Sequence, residues 1–465
     1  MKILREKQIV RVLSLSFLLV NCGGNAPELP RDTPASTSPQ NETLKIWWAR
    51  GYYIPEDEAL EAIVNEWQQQ TGNKIELSFM SHDDILKDAE NALNAGNPPD
   101  IVYSTRVEEQ LIPRWAWNGK LADVSDAIAP LKEIYSPAAL QSVSLYNKAA
   151  KKRSNYAIPI QQRTVHIHYW RDLLAEAGLR EEDIPQEWDA FWQFWRQAQD
   201  NLRRQGREEI YSLGLPFSSK AGDTYSTFQQ ILEAYDIELL DEQGNLLIQN
   251  AEVRKKIIAA LTWYVDFYRQ GYVPPDAKIW TDGSNNTAFL NQKVVMTINP
   301  TLSIPSSQRE EEEEIYRDRI ATIEFPNEPD GEVPKYRVAV KQIALFAASP
   351  RQEMAKDFLQ YFIQPEHLGP YIEGALGRYF PVMPQLAAEP FWNDPADPHI
   401  SVAVRQFQTE KTRPSYQSLN PAYTDVQAEN IWGQAIEQAI AGRSPEEAVD
   451  EAIARIEEIF AAWNR

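Results

Sequence analysis

After residue 43, short apolar runs alternate with segments whose apolar side chains recur at the spacing of an amphipathic helix. This change of period predicts strand, helix, strand, helix, strand in that order. The order is typical of a parallel sheet covered by helices, and it indicates an α/β fold. The predicted elements are a strand beginning at Leu44 (LKIWW), a helix over residues 56–71 that ends at Gly72, a strand over 74–79, a helix over 83–95 and a strand over 101–103.

The segments that follow these three strands are candidates for a ligand site. In parallel sheets, ligands bind beyond the carboxyl ends of the strands, where the following loops meet. Residues 48–53, 80–83 and 104–106 occupy those positions. We therefore expect these segments to lie close together in one crevice.

Further along the chain, aromatic residues recur at helical spacing. Trp188, Trp192 and Trp195 fall on one face of a predicted helix, an arrangement that is more typical of a hydrophobic core than of a cofactor site. Amphipathic helices are also predicted over residues 253–269 and 445–463. The second of these begins with a serine cap, a proline and a glutamate, which together favour a helix start.

Composition narrows the range of functions. The chain has 46 basic and 67 acidic residues and a formal charge of −21, and its first 21 residues are themselves basic. This acidic excess argues against a nucleic-acid partner and against electrostatic binding to anionic lipid, because both need basic patches. The chain after the basic segment is too long for one hydrophobic core, which indicates two lobes. The 14 tryptophans and 20 tyrosines suit stacking against sugar rings, although any one of them is better explained as a core residue.

The N-terminus predicts export. A basic segment precedes the apolar residues 12–20, which are too few to span a bilayer and are typical of a signal peptide, here residues 1–21. Cys22 is the only cysteine, and the segment LVNC resembles the lipobox at which bacterial lipoproteins are acylated. Asn21 departs from the small residue usual there, and a plain secretory signal is the alternative. We expect residues 22–43 to form a lipid-anchored flexible linker in the periplasm or at the cell surface.

Several longer motifs occur in a characteristic order between residues 44 and 463. EWQQQTGNKIELSF and NAGNPPDIVYS are followed by NYAIPIQQRTVHIHYWRDLLAEAGL, AFLNQKVVMTINP and GALGRYFPV. Each motif is weak by itself. Their order resembles that of the family 1 extracellular solute-binding proteins, the maltose-binding-protein-like receptors of carbohydrate ABC importers.

The resemblance implies a two-lobe periplasmic-binding-protein fold, type II-like, with a hinge and a ligand cleft between the lobes. The motifs at which the chain crosses between lobes imply an N-terminal lobe of residues 44–162 plus 340–371. The C-terminal lobe would then comprise residues 163–339 plus 372–465. A ligand that touches both lobes stabilises the closed state, because only that state completes its contacts.

Candidate ligand-binding residues combine polar side chains at strand ends with positions that the resemblance places at the crossings. Trp280 and Asp282 are the central pair, since they offer a stacking face and a charged acceptor, with a simple turn as the alternative. Asp83 is also well placed to cap a helix. The full set is Trp48, Arg50, Tyr52, His82, Asp83, Ser104, Thr105, Gln162, Arg163, Trp280, Asp282, Asn299, Arg378 and Tyr379.

Asn299 ends the predicted strand VVMTIN, where members of the family often continue with Gly-Pro-Trp. In this chain the next residues are Pro300, Thr301 and Leu302. In maltose-binding relatives that tryptophan stacks on a glucose ring. The resemblance therefore implies that this chain does not bind maltose in the same way.

The sequence favours a non-enzymatic, monomeric substrate-binding component of an ABC transporter. We expect it to deliver a neutral sugar, oligosaccharide, polyol or glycosyl-polyol to membrane permease subunits, with no cofactor, no metal and no catalytic residue. One alternative is a secreted carbohydrate-active hydrolase, because 67 acidic residues leave room for the two carboxylates that hydrolysis needs. Another is a metal receptor of the same fold. His166 and His168 would share one face of a strand, but no cysteine or paired carboxylate lies nearby in the sequence.

Overall fold

The computed structural model describes residues 43–309 and 312–463. The predicted signal peptide, Cys22 and the linker up to residue 42 lie outside the described residues. Thr43, the last residue of the predicted linker, begins the first strand.

The described residues form a mixed α/β structure. The strands are β1 (Thr43–Ala49), β2 (Lys74–Met80), β3 (Ile101–Tyr103), β4 (Ser144–Asn147), β5 (Lys152–Asn155), β6 (Ile158–Arg163), β7 (His166–Trp170), β8 (Tyr211–Gly214), β9 (Val294–Asn299), β10 (Ile320–Ile323), β11 (Tyr336–Leu345), β12 (Phe380–Pro381) and β13 (Thr412–Pro414).

The helices surround these strands. They are α1 (Ile54–Thr71), α2 (His82–Asn94), α3 (Thr105–Gln110), α4 (Ile112–Trp117), α5 (Ser125–Ile128), α6 (Pro137–Val143), α7 (Arg171–Glu176), α8 (Trp188–Arg204), α9 (Gly222–Ala234), α10 (Ala251–Arg269), α11 (Ser284–Leu290), α12 (Ser303–Ser306), α13 (Gln352–Phe362), α14 (Pro365–Glu373), α15 (Pro384–Ala387), α16 (Pro390–Asn393), α17 (Ile400–Ala403), α18 (Tyr416–Leu419), α19 (Tyr423–Ala428), α20 (Ile431–Ile440) and α21 (Pro445–Trp463).

The first sheet has the strand order β12-β6-β11-β3-β1-β2, and β13 pairs with β11 at its margin. β1 pairs in parallel with β2 and with β3, so that Ile46 lies opposite both Leu77 and Ile101. The predicted order of strands and helices over residues 44–103 is therefore confirmed. Helices α1 and α2 connect these strands, as a parallel arrangement requires.

The second sheet has the order β10-β7-β9-β8. Its strands carry apolar side chains that belong to a separate hydrophobic cluster from those of the first sheet. We call the part of the chain built around the first sheet the N-lobe, and the part built around the second sheet the C-lobe. The predicted α/β fold with two cores is thus confirmed.

Each lobe has an aromatic centre. In the N-lobe the Trp48 ring lies 4.6 Å from that of Tyr103, and its Nε1 donates a hydrogen bond to the Tyr371 hydroxyl at 3.1 Å. In the C-lobe, one face of α8 buries the aromatic stripe that contains Trp192 and Trp195, which are 2% and 0% exposed. The prediction that this stripe is core is confirmed.

The chain crosses between the lobes where short segments lie side by side. β6 belongs to the first sheet and β7 to the second, so we propose that the first crossing lies at Thr164 and Val165, close to the expected division after residue 162. The Thr164 hydroxyl donates to the carbonyl oxygen of Arg337 at 3.1 Å, and Gln406 Nε2 donates to that of Val165 at 3.2 Å. The hinge is therefore a set of hydrogen-bonded segments, not a single connection.

The packing of residues 380–404 bears on the position of the third crossing, which the family resemblance places after residue 371. Side chains from Phe380 to Val404 pack in the N-lobe cluster, while Tyr416 is the next residue in the C-lobe cluster. The Phe380 ring lies 4.5 Å from that of Phe407 and 5.7 Å from that of Trp392, which explains why this segment stays with the N-lobe. We propose that the third crossing lies between residues 404 and 416.

The two histidines considered as metal ligands are fully buried on β7. Nδ1 of His166 is hydrogen-bonded to Gln406 Oε1, and Nδ1 of His168 to Thr322 Oγ1 at 2.9 Å. Within residues 43–309 and 312–463, no three histidine, cysteine or acidic side chains are grouped so as to hold a metal ion. Burial lowers the pKa of His166 to about 4 and that of His168 well below its usual value.

These buried histidines predict a loss of stability in mild acid. In the unfolded chain the His166 imidazole takes up a proton below a pKa of about 6.5, whereas in the folded chain this imidazole stays neutral until about pH 4. For His166 alone, the free energy of unfolding should fall by about 2 kcal/mol between pH 7 and pH 5. Denaturant unfolding at both pH values should show a smaller fall for His166→Gln than for the parent chain. Equal falls in the free energy of unfolding for the two proteins would contradict the low pKa of His166 in the folded chain.

Candidate functional site

A cavity of about 480 Å³ lies between the lobes and is lined from both. N-lobe loops form one wall, hinge segments form the floor, and C-lobe residues form the opposite wall. The lining residues are Tyr52, Ser81, His82, Asp83, Thr105, Arg106, Glu109, Arg163, Asp223, Asp282, Gly283, Asn286, Asn299, Pro300, Thr301, Ser303, Lys341, Arg378 and Tyr379.

The N-lobe wall is made by the segments that follow β1, β2 and β3. His82 lies at the start of α2, and its Nδ1 accepts a hydrogen bond from the backbone N–H of Thr105 at 3.1 Å. Because Nδ1 is an acceptor, the imidazole proton is on Nε2. Desolvation, with a smaller contribution from the nearby Lys341, lowers the pKa of His82 to about 4. The ring is therefore a neutral hydrogen-bond donor at physiological pH.

The floor of the cavity contains buried charges from the hinge strands. Arg163, at the end of β6, pairs with Glu109 at 2.7 Å. Lys341, in the middle of β11, donates to the Thr105 hydroxyl at 2.9 Å and lies 3.6 Å from Glu108. Burial raises the pKa of Glu108 to about 7 and lowers the pKa of Lys341. Each of these two cations thus has a carboxylate neighbour on α3.

Arg378 enters the cavity from a tight turn before β12. Gly377 in this turn has φ +82°, and a Cβ there would lie 2.4 Å from a carbon of Ile400, so the turn requires glycine. The Arg378 guanidinium lies 3.5 Å from the centroid of the Tyr52 ring. It is also hydrogen-bonded to the Tyr379 side chain. The turn and the tyrosines together hold this arginine in place.

The C-lobe wall presents carboxylate, amide and hydroxyl groups. Asp282 Oδ1 accepts hydrogen bonds from the backbone N–H groups of Gly222 at 2.7 Å and Asp223 at 3.3 Å, near the start of α9. Asn299 Nδ2 donates to the Ser303 hydroxyl at 2.9 Å. Burial, with a further contribution from Asp282, raises the pKa of Asp223 to about 7. Donors and acceptors of this kind match the hydroxyl groups of a polyhydroxylated ligand.

Arg106 connects the two walls. Its guanidinium lies 3.4 Å from Asp83 and 3.7 Å from Glu109 in the N-lobe, and 3.6 Å from Asp282 in the C-lobe. The Arg106 side chain is 39% exposed, so these contacts are partly screened by solvent. The ion pair with Asp282 spans the cleft.

The structure places many of the predicted site residues in the cavity and several outside it. The predicted residues that line the cavity are Tyr52, His82, Asp83, Thr105, Arg163, Asp282, Asn299, Arg378 and Tyr379. Those that do not are Trp48, Arg50, Ser104, Gln162 and Trp280.

The two tryptophans are the main departures from expectation. Trp48 is 1% exposed in the N-lobe core, and Trp280 is 6% exposed in the C-lobe core. Both rings are covered by apolar neighbours, so neither presents a free face to a ligand in the cleft. Of the central pair predicted from the sequence, only Asp282 reaches the cavity.

The other three residues have structural contacts of their own. Arg50 is 64% exposed and pairs with Asp57. Ser104 is buried behind the cavity wall, where its hydroxyl donates to the carbonyl oxygen of His82 at 3.1 Å. Gln162 Nε2 donates to the carbonyl oxygen of Pro381 at 2.6 Å within the sheet.

Sequence reasoning missed several charged lining residues. Lys341 carried a usable signal, because it is a lysine in the otherwise largely apolar strand sequence YRVAVKQIAL. Glu109 and Asp223 carried no such signal, since acidic residues on helices are usually solvent-exposed. Their role in the cavity depends on contacts with residues distant in sequence.

The chain belongs to the family of bacterial extracellular solute-binding proteins, whose family model matches residues 62–400. Comparison with curated protein sequences finds no match. Membership of an extracellular family indicates an exported protein. In the part of the chain that the structure describes, no helix combines the length and apolar character needed to cross a membrane.

Solved structures share the fold. A solute-binding protein from Thermotoga lettingae TMO bound with α-D-tagatose has a TM-score of 0.70 at 19% identity. The cyclic α-maltosyl-1,6-maltose binding protein from Arthrobacter globiformis has the same TM-score and identity. Both matches cover 90% of this chain and 99% of the other. Maltose-bound MalE3 of T. maritima has a TM-score of 0.69 at 18% identity, with coverages of 90% and 100%. These matches establish the two-lobe fold.

Removing the ion pair across the cleft should shift the lobes toward a more open state. In ligand-free protein, Arg106→Gln removes a partly exposed contact worth about 0.2–1 kcal/mol, so the ratio of open to closed molecules should rise by up to about fivefold. Small-angle scattering should show a larger radius of gyration. Arg180→Gln, at an exposed arginine that pairs with Asp183 away from the cavity, is the control. Unchanged scattering for Arg106→Gln would show that this contact does not hold the lobes together.

Proposed function

We propose that this chain is the substrate-binding component of an ABC importer, and that it captures a sugar-type ligand in the interlobe cavity. The observation that carries the proposal is a cavity lined from two separately packed lobes, with Arg106 and Asp282 meeting across it at 3.6 Å. A ligand that replaces or adds to such contacts stabilises the closed arrangement of the lobes. A membrane permease can recognise that closed arrangement.

The chemistry of the cavity supports a polyhydroxylated ligand. Asp282, Asn286 and Ser303 provide acceptors and donors on the C-lobe wall, and His82 provides a neutral donor on the N-lobe wall. Each sugar hydroxyl is both a hydrogen-bond donor and an acceptor, so it can bind to a donor and an acceptor of the cavity at the same time. Two of the structural neighbours hold sugars, α-D-tagatose in one and maltose in the other.

The remaining parts of the proposal concern attachment and partners. We propose that Cys22 carries the lipid anchor and that the following linker keeps a monomeric receptor close to its permease. We also propose that the protein has no catalytic activity. The cleft carboxylates Asp83, Glu109 and Asp282 all pair with Arg106, an arrangement suited to binding.

A thermal-shift screen of the full chain tests this function. We expect stabilisation by at least one member of a panel of mono-, di- and oligosaccharides and polyols, and none by amino acids or peptides. Asp282→Ala should weaken the best sugar by about tenfold or more, because it removes a charged acceptor from the cavity wall. Asp276→Ala, at an exposed carboxylate shortly before it in the chain, is the matched control.

Two outcomes would contradict the proposal. Stabilisation by a peptide or amino acid with no response to any sugar would assign a different ligand class. Conversion of an oligosaccharide to products would favour the hydrolase alternative. Chromatography of the sugar recovered after incubation separates binding from turnover.

A further inference from the structure

The cations of the cavity differ in how they are neutralised. Arg106 has three carboxylate partners within 4.0 Å, Arg163 has Glu109 at 2.7 Å, and Lys341 has Glu108 at 3.6 Å. Among the residues that the structure describes, Arg378 forms no such ion pair. It is the one cavity cation in that part of the chain without a carboxylate within this distance.

The surroundings of Arg378 are aromatic. Its guanidinium lies 3.5 Å from the centroid of the Tyr52 ring and 5.8 Å from that of Tyr379, and it is hydrogen-bonded to the Tyr53 hydroxyl. Its Nε is buried and has no hydrogen-bond partner in the described structure. Aromatic rings orient a guanidinium, but they supply only part of the stabilisation that water or an anion would give.

Tyr52 is 55% exposed, but the aromatic rings of the cavity already have neighbours of their own. The aromatic lining residues are Tyr52, His82 and Tyr379. The Tyr52 ring already has Arg378 over it and stacks with His82 at 6.0 Å, while Tyr379 is only 4% exposed. Trp280 was expected to provide a stacking face for the ligand, but its ring lies in the C-lobe core. Recognition in this cavity therefore depends more on charge and hydrogen bonds than on stacking.

We propose that the ligand carries an oxyanion, a carboxylate or a phosphate on a sugar, and that Arg378 binds it. This inference rests on the proposed function. A guanidinium pairs with either oxyanion through two parallel N–H donors. Of the cavity carboxylates, Asp223 forms no ion pair in the described structure, and its pKa of about 7 keeps a substantial part of it neutral near physiological pH. The other lining carboxylates, Asp83, Glu109 and Asp282, pair with Arg106, and Glu109 also pairs with Arg163. None of them forms an ion pair with Arg378.

Calorimetric titration of the full chain with matched neutral and acidic sugars tests the inference. The pairs are glucose with glucuronate, galactose with galacturonate, and glucose with glucose 6-phosphate. We expect at least one acid to bind about tenfold or more tightly than its neutral parent, and its affinity to fall with added salt. Tighter binding of a uronate would identify a carboxylate as the oxyanion, and tighter binding of glucose 6-phosphate would identify a phosphate.

Substitution of Arg378 tests whether this residue causes the tighter binding of an acidic sugar. Arg378→Gln should lose about tenfold or more of the affinity for the preferred acid, and Arg180→Gln should lose none. Arg378→Lys keeps the positive charge but not the planar pair of N–H donors, so we expect a smaller loss of affinity than in Arg378→Gln. Such an intermediate loss would show that the glutamine variant is not weak merely because it folds poorly. If a folded Arg378→Gln protein bound the acid as tightly as the wild type does, Arg378 would not be the residue that binds the oxyanion.

The sugar panel separates failure of this inference from failure of the proposed function. Binding of a neutral sugar as tightly as, or more tightly than, its acidic partner in every pair overturns the oxyanion proposal and leaves the receptor function in place. Tighter binding of glucosamine than of any acid also overturns it, because the cavity would then favour a cation. Absence of binding by every sugar, neutral or acidic, overturns both.

Discussion

The burial of charge at the junction of the two lobes is the constraint on which the rest of the structure depends. Strands β6 and β11 bring the Arg163 side chain, which is 13% exposed, and the fully buried Lys341 side chain to this junction. An unpaired charge in such a place costs several kcal/mol, so each requires its carboxylate on α3. The short helix α3 is thereby joined to both strands by ion pairs at the floor of the cavity, while the walls belong to different lobes.

This arrangement explains why the cavity is charged yet nearly balanced. Most of its cations already have carboxylates, and those carboxylates also form the hydrogen-bonding surface that a ligand meets. Arg378 is different because its position is set by a glycine turn and by tyrosines instead of by an acid. The site thus combines a pre-formed polar framework with a single cation available to the ligand.

The sequence predicted the elements well wherever the signal was local. The segments over residues 44–103 change between the periods of a strand and a helix, and the structure confirms their order and parallel pairing. The loops after those strands could be placed near one another for the same reason. The burial of Trp280 in the C-lobe core could not be predicted, because spacing does not show whether a ring in a connecting segment faces a core or a cleft. Lys341 was missed although its strand is largely apolar.

What the sequence by itself determined is the two-core α/β fold, the family and an acidic character that argues against a nucleic-acid partner. These follow from periodicity, motif order and composition, which are properties of neighbouring residues or of the whole chain. Tertiary structure decided which side chains line the cavity and which of its charges are paired. Pairs such as Arg106 with Asp282 and Lys341 with Glu108 join residues far apart in the chain. Their distances and burial, which set their energies, exist only once the lobes have folded.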